Sequence, residues 1–255
     1  MEVFLNPDAW IALLTLTFLE IVLGIDNIIF ISIATGKLPA EKRKRATKIG
    51  MFLAMFMRIA LLFGINLLIQ MKEPWFHIDF SWFSAGITGQ SVILLLGGLF
   101  LIYKSTNEIR EKVDERGEEE KEIKEAATKS FQNVILQIIM IDLVFSFDSI
   151  LTAVGMTNGV EGALYIMITA VVISVFIMMQ FAVPVGTFVN KHPSIQILGL
   201  AFLILIGMML LTESAHLSDA LIFGNHVTPL PKGYLYFAIT FSLVVEMINM
   251  KIKKK

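Results

Sequence analysis

The chain has 255 residues, 56% of them hydrophobic and only 17% charged, with a mean hydropathy of +0.74. A soluble domain carries nearer ~25% charged residues and breaks its apolar residues up at helix or strand period, so a single water-soluble domain is excluded. The formal net charge of −1 gives nucleic acid no hold, and the lack of cysteine excludes disulfides, thiolate metal sites and CxxC redox chemistry.

The first ten residues, Met1 to Trp10, hold Glu2 and Asp8 but no basic residue, unlike the n-region of a cleavable signal peptide. The first apolar run is therefore expected to stay as a span. Crossing the ~30 Å hydrocarbon layer takes about 20 helical residues. Stretches of that kind predict seven helices, at about Trp10–Ala34, Ile49–Ile69, Gly86–Tyr103, Phe131–Val154, Gly162–Val183, Ile195–Leu211 and Gly233–Ile248.

Basic residues orient this map, because cytoplasmic loops carry an excess of Lys and Arg. All but three of the 21 fall in the loop after the first span, the loops after the third and fifth, and the tail; Lys72 and Lys232 lie on the other side and Arg58 inside a span. The asymmetry predicts a membrane protein with its N-terminus outside and its C-terminus cytoplasmic, which an odd number of spans requires.

Between the third and fourth spans, Lys104 to Ser130 is strongly polar, with Glu108/Lys112, Glu120/Lys124 and Glu125/Lys129 four apart. It reads as a solvated helix acting as a cytosolic tether. The outside loop from Met71 to Gly89 carries Trp75, Phe76, Trp82 and Phe83, which suit a segment lying at the interface, and its His77 and Asp79 are weak candidates for meeting an ion at the mouth. His216, Asp219 and His226 share the last outside loop at a spacing that matches no metal motif, and Glu213 and Glu246 read as interfacial residues near span ends.

The first and fourth spans repeat one another at an offset of 122 residues: Glu20-Ile-Val-Leu-Gly-Ile-Asp26-Asn27 lies against Asp142-Leu-Val-Phe-Ser-Phe-Asp148-Ser149. Each ionised carboxylate at bilayer depth costs roughly 3 kcal/mol on insertion scales, so four demand compensation. The copies are offset by three spans, an odd number, so the second enters from the opposite side, as in an inverted-topology repeat, whose substrate site lies where the repeats meet. The expected fold is all-α: a polytopic membrane protein of about seven transmembrane helices, with two inverted three-helix repeats (about 10–103 and 131–211), the linker 104–130 and a final helix at about 233–248. Positions six apart on a helix point about 120° from each other. Asp26 and Asp148 therefore converge with Glu20 and Asp142 only if the backbone is irregular near Gly24 and Ser146, and such irregularity is predicted.

Four carboxylates with an amide and a hydroxyl form an all-oxygen donor set, which suits Mg²⁺, Ca²⁺ or Mn²⁺. The candidate metal ligands are Glu20, Asp26, Asn27, Asp142, Asp148 and Ser149. Met140 and Met156 flank the second motif and read as packing residues, although a thioether ligand would tilt the site towards Mn²⁺. Arg58, mid-span, is expected to pair with a motif carboxylate as a counter-ion or a moving gate. Lys104 can snorkel to the surface and is a lesser transport-assisting candidate.

These segments, with Gly97-Gly-Leu-Phe-Leu-Ile-Tyr-Lys-Ser105 and Pro231-Lys-Gly-Tyr-Leu-Tyr-Phe237, resemble the TerC family of bacterial membrane proteins over nearly the whole chain, in its short form without CBS domains. The resemblance implies a seven-span fold related to LysE-type exporters, with members linked to manganese export, metal loading of secreted enzymes and tellurium resistance. Carried over, the acidic motif of the family falls on Glu20, Asp26 and Asn27, and on Asp142, Asp148 and Ser149. The expected function is export of a divalent metal ion as substrate, Mn²⁺ first, in exchange for protons, with no prosthetic group and no catalysis. The rivals are a scaffold handing metal to the secretion machinery and, further behind, an intramembrane aspartyl hydrolase. Oligomeric state is not legible.

Overall fold

The computed structural model describes residues 7–114, 131–157, 160 and 162–252, with the side chains of residues 25 and 26 excepted. Its elements run α1 (Pro7–Gly36), α2 (Ala40–Phe63), α3 (Ile65–Gln70), β1 (Pro74–Phe80), β2 (Phe83–Thr88), α4 (Gly89–Asp114), α5 (Phe131–Met156), α6 (Ala163–Lys191), α7 (Pro193–Leu217), β3 (Leu221–Ile222), β4 (Asn225–His226) and α8 (Lys232–Ile252). Among the described residues seven helices are long and apolar enough to cross a membrane: α1, α2 and α4 to α8. The protein is an all-α polytopic membrane protein, and every expected span has its helix.

Local chemistry sets the helix ends. Pro7 and the acidic Asp8 open α1, and Pro39 precedes α2, where a missing N–H costs nothing. Gly64 closes α2, donating its N–H to the Ala60 carbonyl at 3.1 Å. Pro193 starts α7 in the same way. All seven spans are longer than expected. The fifth was expected to stop before Pro184, yet α6 runs through it to Lys191; membrane helices tolerate such a residue where neighbours re-satisfy the freed backbone. The sixth extends to Leu217, which puts His216 in α7 rather than in the last outside loop, with Glu213 near the end of the same helix.

The chain divides into two compact units, each drawing on both expected repeats. The first holds α1, α2, α5 and α6, in which α1 packs mainly on α6, and α2 on α5. The second holds α4, α7, α8 and the strands, with α4 packed along α7. Lipid tails offer no hydrophobic drive for helices to associate, so close backbone approach matters. At the α4–α7 contact a methyl added to Gly98 would lie 2.7 Å from the Gly207 carbonyl oxygen. By contrast, α8 buries only Ile239 and presents Tyr234, Phe237 and Phe241 outward.

The segment expected at the interface is built as a β-hairpin. Strands β1 and β2 pair antiparallel, with Phe80 opposite Phe83, and β2 pairs with β3, with Phe83 opposite Ile222. The turn between β3 and β4 is Phe223-Gly224, both at positive φ (51° and 79°), the two-residue geometry that matches strand twist. Asp79 accepts a hydrogen bond from Ser84 Oγ at 2.6 Å, and Asp219 pairs with His226 at 3.0 Å, so these acids serve the sheet region. The charged stretch after Lys104 begins as the continuation of α4 to Asp114; residues 115–130, with Glu120/Lys124 and Glu125/Lys129, lie outside the described residues.

Candidate functional site around Arg58

In the first unit the polar side chains of three apolar helices meet. Arg58 comes from α2, Glu20 from α1 and Asp142 from α5, and each is buried, at 4%, 5% and 5% exposure. Arg58 Nη1 donates to Glu20 Oε2 at 2.5 Å. On its other side Nε and Nη2 donate to Asp142 Oδ2 and Oδ1 at 3.1 and 2.7 Å, a two-pronged contact that only a planar guanidinium can make. An unpaired Arg at mid-span costs about 3 kcal/mol on insertion scales. Hydrogen bonds to charged groups return about 1.5–3 kcal/mol each, so three offset that burial.

Asp142 is the hub of this network. Beyond Arg58 it accepts from Asn27 Nδ2 at 3.3 Å (Oδ1) and from Ser146 Oγ at 3.0 Å (Oδ2). Four donors on two oxygens use the lone-pair sites that a carboxylate offers. With Glu20, two formal negative charges face one positive, so the cluster keeps an excess of negative charge. A cavity of about 20 Å³, enough for roughly one water-sized sphere, opens beside it, lined among others by Asn27, Met51, Arg58, Asp142 and Met178. Asn27 Oδ1 is buried without a hydrogen-bond partner.

The structure thus brings together Glu20, Asn27, Asp142 and Arg58 from the expected set, and Arg58 pairs with two motif acids rather than one. The expected break in the helices is not there: α1 and α5 are helical through Gly24 and Ser146. Both residues have other work. Ser146 turns its hydroxyl to Asp142, and a methyl at Gly24 would collide with the sulfur of Met178. Because α5 is unbroken, Asp148 sits about 120° around the helix from Asp142. It is half-buried, and its backbone carbonyl accepts from Thr152 Oγ1 at 3.0 Å. Ser149 gives its hydroxyl to the Ser146 carbonyl at 3.3 Å. The side chain of Asp26 lies outside the described residues, and among those described no group of three or more His, Cys, Asp or Glu side chains comes close enough to hold a metal ion.

Lys104 belongs to the second unit, where it pairs with Glu108 at 2.8 Å one turn along α4. Met140 and Met156, close to the motif in sequence, are 44% and 46% exposed. The methionines at the cavity are Met51 of α2 and Met178 of α6, which sequence spacing could not have picked out.

The family model described as "Integral membrane protein TerC family" matches residues 5–255. The chain is 47% identical over 250 residues to the UPF0053 inner membrane protein YgdQ of Escherichia coli K12, covering 98% of this chain and 96% of that protein. It is 45% identical over 249 residues to a UPF0053 protein of Haemophilus influenzae, at 98% and 96% coverage. The E. coli K12 UPF0053 inner membrane protein YoaE is 42% identical over 250 residues, which make up 98% of this chain and 44% of YoaE. No solved structure matches the chain.

Proposed function

The chain belongs to the TerC family of integral membrane proteins, and from that membership and the buried Arg58 bridge we propose that it carries a divalent metal ion, Mn²⁺ first, outward across a bacterial inner membrane in exchange for protons. The observation that carries this reading is a guanidinium held between Glu20 and Asp142, the aligned acids of two repeated segments, inside three apolar helices. Carboxylates at that depth are expensive and mark ion pathways. The helix pairing adds support: exchanging the first three spans with the next three turns the α1–α6 contact into α5–α2 and maps α4–α7 onto itself. An alternating-access repeat needs that interchange.

In this reading Arg58 is a resident cation. A divalent ion that takes oxygens of Glu20, Asp142 and Asn27, with Asp26, Asp148 and Ser149, displaces the guanidinium, which returns as the ion leaves. Expelling a bare divalent ion from a negative interior costs about 4.6 kcal/mol per 100 mV, twice the single-charge figure. Exchange for two protons makes the cycle electroneutral, and carboxylates that bind either metal or proton provide the coupling. The Lys and Arg asymmetry supports an N-terminus outside and a cytoplasmic C-terminus.

The test is Mn²⁺ flux in liposomes holding only this protein, with and without a pH gradient, beside Asp26→Asn, Asp142→Asn and Asp148→Asn versions that reconstitute equally well. Flux that responds to the gradient and falls at least about tenfold in Asp142→Asn supports the proposal. No flux of any divalent ion overturns it in favour of a metal-handing scaffold, which binds metal without needing to move it.

A further inference from the structure

The cavity beside Arg58 has one wall that the acidic motifs do not explain. Met178, on α6, is buried at 4% exposure, and its sulfur lies against the backbone of Gly24, one turn before Asn27 on α1. Any side chain at Gly24 would collide with that sulfur, so glycine is what seats the thioether against α1. Both Met178 and Asn27 line the cavity, and Asn27 turns its Nδ2 to Asp142, leaving Oδ1 buried without a donor. A carboxylate can only accept, so this contact fixes which way the amide points. An acceptor buried without a donor, on a residue that lines a cavity of otherwise apolar surface, is a group fit to meet a cation or a proton donor.

We propose that Met178, seated by Gly24, and Asn27 Oδ1 form a mixed sulfur and oxygen ligand pair that gives this site its preference for a transition-metal divalent ion over Mg²⁺ and Ca²⁺. This rests on the metal-transport reading above and names its specificity determinants. The chemistry follows from ligand softness. Mg²⁺ and Ca²⁺ are bound by oxygen donors and gain nothing from a thioether, whereas Mn²⁺ tolerates one and Cd²⁺ seeks it. A thioether and an amide oxygen on residues beside one cavity therefore sort ions that carboxylates alone hold alike.

The experiment is competition flux in proteoliposomes, with Mn²⁺ uptake read by a fluorescent indicator against external Mg²⁺, Ca²⁺ or Cd²⁺. Met178→Leu keeps the volume and removes only the sulfur. Its Mn²⁺ flux should fall, its preference for Mn²⁺ over Mg²⁺ should drop about tenfold, and Cd²⁺ should lose its blocking power. Gly24→Ala, which retains the sulfur but pushes it from its seat, should lose preference in the same direction, and the double variant should be no worse than either single one. Met140→Leu, outside the cavity, should match the wild type. If Met178→Leu transports with the wild-type preference and Cd²⁺ sensitivity, the ligand assignment is wrong and the transport reading stands. If the wild type moves no divalent ion, the transport reading fails and takes the assignment with it. Should Met178→Leu be inactive, Gly24→Ala decides alone: wild-type preference there overturns the assignment.

Discussion

The two units each bury a charged residue, and they do it differently. In the first, Arg58 reaches acids on two other helices, 38 and 84 residues away in sequence, with every partner below about a tenth exposed. In the second, Glu108 is as deeply buried, but Lys104 comes from one turn earlier on the same helix, and its side chain is 26% exposed. Close by in that unit, Lys112 reaches across to Gln196 Oε1 at 2.5 Å. A pair within one helix stabilises that helix and says little about its neighbours. A bridge among three helices makes their arrangement depend on one guanidinium, so whatever competes for its acids acts on all three.

The sharpest way to break that contrast is Arg58→Ala, which strands two buried carboxylates. It should cost about 3–5 kcal/mol, read as a loss of thermal stability in detergent, together with loss of metal flux. Arg58→Lys should recover only part of this, because an ammonium cannot engage both oxygens of Asp142 as the fork does. Next comes Asp142→Asn, at about 2–3 kcal/mol, since four donors converge there while Glu20 still neutralises Arg58. Glu20→Gln, with its single bond to Arg58, should cost less, about 1–2 kcal/mol; an inverted order would remove Asp142 as the hub. In the second unit Lys104→Gln should cost under about 1 kcal/mol, the scale of a partly exposed pair within one helix, and should leave Mn²⁺ flux intact. An effect as large as that of Arg58→Ala would erase the distinction between the two units.

Much of this was legible in the residues. Seven apolar stretches gave seven spans, and the acids at positions 20 and 142 with Arg58 in a neighbouring span announced a buried bridge, because such charges cannot stay unpaired in lipid. The continuity of α1 and α5 was not legible. Gly24 and Ser146 look like helix breakers until Met178 and Asp142 are seen occupying the space and the hydroxyl. Met178 itself arrives from another helix, whereas Met140, two residues from Asp142, points to the opposite side, as helix geometry requires of positions 200° apart. The hairpin had a readable signal: Phe76, Ile78 and Phe80 alternate with His77 and Asp79 at strand period. The four aromatic residues speak to where the segment lies, at the interface, and the alternation speaks to its being a hairpin.

The bridge also has an order in time. A chain made at ~5–20 residues per second delivers Asp142 roughly 4–17 s after Arg58, the two being 84 residues apart. During that interval Glu20 can serve as a partner that Arg58 already has, so α1 and α2 can enter the bilayer with the Arg58 charge already matched. Asp142 then meets a cation already in place, and its arrival turns a neutral pair into a cluster with a negative excess. The negative excess of the cluster is thus deferred until α5, which carries Asp142, has been made.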